Sequence, residues 1–113
     1  MKNTEVVDTT SKYIVKSTGI GSETDEVLVN AETELTGGTD KSTVSLIECF
    51  YLIEGTGTLT ISADDESTDL SLTGKGKYGL RPGQLKFGND KIFKLTTDSN
   101  VTSYLLVTEF RRN

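Results

Sequence analysis

The sequence predicts an all-β fold, a small β-sandwich or jelly-roll barrel of about 8–10 short strands behind an extended N-terminal arm. Three observations carry that expectation. Threonine fills 18 of 113 positions and, with Val, Ile, Tyr and Phe, supplies side chains that suit a pleated surface. Apolar and polar residues alternate with period two in short runs. Turn-forming breaks separate those runs before any helix-period pattern can develop.

Along the chain, residues 1–10 are polar and Thr-rich, with Val6 and Val7 as their apolar side chains, and read as the arm. An arm suits strand exchange with a neighbouring subunit, and a frayed terminus is the competing reading. Residues 11–113 then form one domain, of a size at which a core is self-sufficient without metals or disulfides. Alternation marks strands at 12–16, 26–30, 57–62, 69–73, 84–88 and 91–95. Val44 to Ile53 and Tyr104 to Val107 are more continuously apolar, and read as strands buried on both faces at the centre of the fold. Gly37-Gly38, Gly55 to Gly57, Gly74 to Gly76, Pro82-Gly83, Gly88 to Asp90 and Asp98 to Asn100 supply the turns, and 63–69 is a polar hairpin tip.

Composition excludes several kinds of chemistry. There is no His and a single Cys, so His-based nucleophilic triads and the usual zinc sites have no ligands to draw on, and no cofactor, metal or catalytic residue is expected. Cys49 lies in an apolar run where a small buried thiol fits as core filler. The acidic tip Asp64 to Asp69 reads as solvated, with Ca²⁺ as the alternative, although the EF-hand spacing is missing. Glu48, Glu54 and Glu109 lie in or beside strands, yet their spacing marks no acid–base pair. The glycine pairs around Thr56 and Lys75 lack the helix that a phosphate loop needs. Twelve Lys and Arg against 17 Asp and Glu leave a net charge of −5, so no nucleic-acid partner is expected. No run approaches the roughly 20 apolar residues of a membrane span, and neither a leader nor a membrane partner is expected.

Two resemblances add to this reading. Tyr51 to Ile61, Gly79 to Gly88 and Tyr104 to Val107 resemble the cupin succession of glycine turn, strand pair, Pro-Gly turn and closing strand. That resemblance implies a jelly roll; the family's metal-binding His and Glu positions are not matched. In size, acidity, Thr- and Gly-rich strands and polar leading segment the whole chain is similar to the small capsid decoration or cement proteins of tailed phages. This second resemblance implies a virion component, assembled in a host cytoplasm, that joins major capsid or neighbouring tail subunits as a homo-oligomer, with a trimer favoured. The expected assembly contacts are Val6, Val7, Tyr13 and Phe110. The alternative is a cupin-like module that holds a small molecule or carbohydrate in a pocket lined by Tyr51, Tyr78, Arg81 and Phe93.

Overall fold

A computed structural model describes residues 1–63, 69–79 and 87–113, and these form ten strands and no helix. The strands are β1 Lys2–Asp8, β2 Lys12–Gly19, β3 Glu26–Asn30, β4 Val44–Gly55, β5 Leu59–Ala63, β6 Leu70–Leu72, β7 Lys75–Gly79, β8 Phe87–Asp90, β9 Ile92–Thr97 and β10 Val101–Arg112. Their sequences explain their form. In β9 and β10 buried and partly exposed positions alternate, as strands with one face on a core require.

Pairing is antiparallel throughout and nested. β5 pairs with β6, β4 with β7, β3 with β9, and β2 with β10, so the chain forms one long ribbon folded back on itself. The ribbon then wraps into two sheets, one of six strands ordered β1-β2-β10-β4-β7 with β8 also on β4, and one of four ordered β3-β9-β5-β6. Nested pairs distributed over two sheets in this order are the winding of a jelly roll, as the sequence predicts. The β10·β4 ladder closes the larger sheet and the β5·β9 ladder the smaller one.

Between the sheets lies a core in which Phe93 is completely buried, with the rings of Phe87 and Phe110 edge-on at 6.3 and 5.1 Å. Leu28, Leu46, Leu59, Ile61, Leu95 and Leu106 fill the space around them. Cys49 is buried here too, as expected of core filler, and burial pushes its thiol up to about 11. Close backbone approaches set two turns. A side chain at Gly57 would strike the Asp98 carboxylate and the Val101 amide, because these turns interlock through Thr58 N–H to Asp98 Oδ2 at 3.0 Å. Gly79, at φ +98°, sits where β7 meets the Ile47 bulge of β4, and a Cβ there would strike the Ile47 carbonyl.

The other expected strands are found, several with shifted ends, while residues 84–86 of the strand expected at 84–88 lie outside the described residues, and three readings need correction. Residues 2–8 are not a free arm: they pair with β2 as the edge strand of the larger sheet. Side chains hold them there, since Asn3 accepts from the Ser17 hydroxyl and donates to the Val27 carbonyl of β3, bridging both sheets. At the other end of β1 the Asp8 carboxylate accepts from the Thr36 N–H and hydroxyl at 2.8 and 2.7 Å and pairs with Arg112 at 3.3 Å. Second, residues 75–79 form a strand where only a glycine turn is read from the sequence, and residues 88–90 lie within β8 and not in a break. Third, β4 and β10 are central but not buried on both faces, for Phe50 and Leu52 remain 50% and 37% exposed. The acidic tip at 64–68, Arg81 and the Pro82-Gly83 turn lie outside the described residues.

Two outcomes test this packing. Phe93→Ala is expected to cost about 3–5 kcal/mol in urea unfolding, as a large cavity opens between two rings. Burial works against the Asp8 carboxylate, but the Thr36 hydrogen bonds and Arg112 outweigh it and hold its pKa below the ordinary value. A lowered folded pKa contributes stability above the ordinary carboxylate range, and that stability disappears as pH falls through the lowered value. Asp8→Asn is therefore expected to lose about 1 kcal/mol at pH 7, with the gap to the unaltered protein closing in acid.

Candidate functional site

The surface that stands out is the outer face of the six-stranded sheet. In antiparallel ladders, residues directly opposite one another present side chains on the same face, so the register gives the composition of that face row by row. One row runs Lys2, Thr18, Leu105, Leu52 and Lys75 across β1, β2, β10, β4 and β7. The next runs Thr4, Lys16, Val107, Phe50 and Lys77, and the third Val7, Ile14, Glu109, Glu48 and Gly79. At the middle of the sheet Leu105, Leu52, Val107, Phe50 and Ile14 make a continuous apolar stripe. Lysines border it on both sides, and Glu48 and Glu109 close one end.

An exposed sandwich face ordinarily alternates to polar residues, so apolar side chains at successive outward positions of β4 and β10 are what need explaining. They also explain the continuous apolar runs in the sequence, since inward and outward positions of both strands are hydrophobic at once. A shallow depression of about 110 Å³ is set into the stripe, lined by Ile14, Phe50 and Val107 with Glu48 and Glu109. The two carboxylates stand directly opposite each other across the β4·β10 ladder. Glu48 is matched by Lys77 at 2.9 Å, whereas Glu109 and Lys16 take no ion pair among the described residues.

The expected assembly contacts divide between surface and core. Val6, the extra residue of a bulge in β1, is 56% exposed, and Val7 is partly buried at the border of the outer face. Tyr13 and Phe110 face inward and are buried in the chain's own core, because both lie opposite each other on the inner side of the β2·β10 ladder. Burial, with Glu34 beside it, pushes the Tyr13 hydroxyl up to about 12. Neither side chain is offered to a partner in this structure. Phe50, Leu52, Leu105, Val107 and Ile14 escape sequence reasoning, although the period-two parity of Val44 to Ile53 places Phe50 and Leu52 on one face.

The residues of the alternative pocket do not converge on open space. Tyr51 and Tyr78 pack against the core from its border, and Phe93 is enclosed by Phe87 and Phe110. Among the described residues no three His, Cys, Asp or Glu side chains come together as metal ligands, and no helix is long and apolar enough to cross a membrane. No family model matches the chain, and no curated protein matches it.

Like charges facing each other across a ladder are unfavourable. Glu109→Gln is expected to raise the free energy of urea unfolding by about 0.2–1 kcal/mol, with the gain shrinking in high salt.

Proposed function

We propose that this chain is a non-catalytic assembly module that attaches to other protein subunits through the outer face of its six-stranded sheet. The observation that carries the reading is the apolar stripe of Leu52, Phe50, Leu105, Val107 and Ile14, laid across a sheet face and bordered by charge. Apolar area flanked by charged rims is the anatomy of a protein contact surface, where the centre supplies desolvation and the rim supplies register. A filled interior supports the same reading over ligand capture, since the aromatic cluster of Phe87, Phe93 and Phe110 occupies the space that a bound molecule would need.

The setting we propose is the tailed-phage particle, where many copies decorate or cement a capsid or neighbouring tail lattice. The acidic, Thr-rich, Gly-punctuated β-character of the chain supports it, and many weak contacts repeated over a lattice give strong total attachment. Strand exchange through residues 1–10 is less favoured than a face contact, because Asn3 and Asp8 bind that segment into its own domain.

In density-gradient fractions of particles from the source culture, the chain is expected to band with intact particles at a fixed ratio to the main shell protein. A Phe50→Lys variant, which changes a half-exposed side chain and is expected to melt within a few degrees of the parent, should remain in the soluble fractions. If the unaltered chain also stays there, the virion reading falls. If Phe50→Lys bands as the parent does, the stripe is not the attachment surface.

A further inference from the structure

The depression in the outer face has a definite chemistry. Ile14, Phe50 and Val107 offer it apolar walls, and Glu48 and Glu109 place two carboxylates at its rim, with Lys77 answering only the first. An apolar channel ending in excess negative charge suits a lysine side chain, whose methylene stem lies on hydrocarbon while its ammonium reaches the carboxylates. Lys16 is exposed, projects from the same face, and carries no ion pair among the described residues. It stands in the row of Val107 and Phe50 at the edge of the depression, one row from the carboxylates, while Ile14 of the depression lies opposite Glu109. A two-fold axis lying in the plane of the face and passing between Lys16 and the carboxylates turns one copy over onto another. Each copy's Lys16 then meets the other's Glu48 and Glu109, and Ile14, Phe50 and Val107 of the two copies come together.

Resting on the assembly reading, we propose that the first partner of this face is a second copy of the same chain, joined in a two-fold dimer by reciprocal insertion of Lys16 between Glu48 and Glu109. The contact is isologous, so a single complementary pair of features is used twice. Its size sets its strength. Five strands about 4.8 Å apart and three rows about 6.8 Å apart span a patch of about 24 by 20 Å. That is about 500 Å² of plane, smaller than the roughly 800 Å² per partner of a standard stable interface. A contact of that size is of the transient, concentration-dependent kind, and it opens when a lattice subunit takes the same face.

Sedimentation equilibrium of the full chain, from about 1 µM to several hundred micromolar, tests this directly. The parent is expected to pass from monomer to dimer across that range. Lys16→Glu sets carboxylate against carboxylate and Glu109→Lys sets ammonium against ammonium, and each alone is expected to weaken dimerisation by about tenfold or more. Mixed in equal amounts, the two variants are expected to dimerise more strongly than either does alone, because one contact of the mixed pair is the parent's own and in the other the two altered side chains carry opposite charges. Far-UV circular dichroism and melting curves confirm that both variants fold. A parent that stays monomeric throughout overturns the proposal, as does a dimer indifferent to both substitutions, or a mixture that dimerises no more strongly than either variant alone. A monomer that still bands with particles would sink the dimer alone, while a dimer that never bands would sink the virion reading alone.

Discussion

The structure depends on the β4·β10 ladder. These are the two longest strands, and their register runs from Val101 opposite Gly55 to Arg112 opposite Val44. The ladder joins the middle of the chain to its last strand, so every nested pair outside the β5·β6 tip is held in place once it forms. On one side it gives the core Leu46, Cys49, Ile53, Tyr104, Leu106 and Phe110; on the other it gives the stripe. The bulge at Ile47 lets both sides be served, because the extra residue resets the parity and keeps Leu46 and Cys49 inward, three positions apart. A ladder with hydrophobic residues on both faces gains core stability from one and leaves the other to be covered.

Much of the fold was legible in the sequence because period-two alternation is a direct consequence of the pleat. The stretches around 12–16, 26–30, 69–73 and 91–95 alternate, and each lies in or overlaps a strand with one face inward. Residues 2–8 and 75–79 were harder for a physical reason. Both lie on edges of the larger sheet, where side chains meet solvent and no hydrophobic alternation is required. What holds residues 2–8 is polar and long-range, through Asn3 to Val27 and Asp8 to Thr36 and Arg112, and such pairs have no signature in local sequence.

The contact surface was legible only in part. A continuous apolar run fits a strand buried on both faces and a strand with one sticky face equally well, and only the positions of the other layers decide between them. Tyr13 and Phe110 attract attention as large residues near the ends of the chain, but their partners Phe93 and Glu34 lie on distant elements that fold over them. Phe50 and Glu109 acquire meaning from what stands opposite them. Register is a tertiary quantity, set by the bulges and by the core that each strand must reach.

Nested pairing also has a consequence for how the chain comes to be folded. During synthesis the inner pairs β5·β6 and β4·β7 can close early, but β2, β3 and β4 must wait for partners in β9 and β10 that are made last. Contacts of such sequence separation carry a large loop-closure cost and form slowly. Until residues 101–112 arrive, both hydrophobic faces of β4 are open at once, and a crowded ribosome array brings nascent copies together in that state. The charges that border the stripe act in this interval as well: Lys16, Lys75 and Lys77 interrupt the apolar surface that would otherwise let unfinished chains adhere.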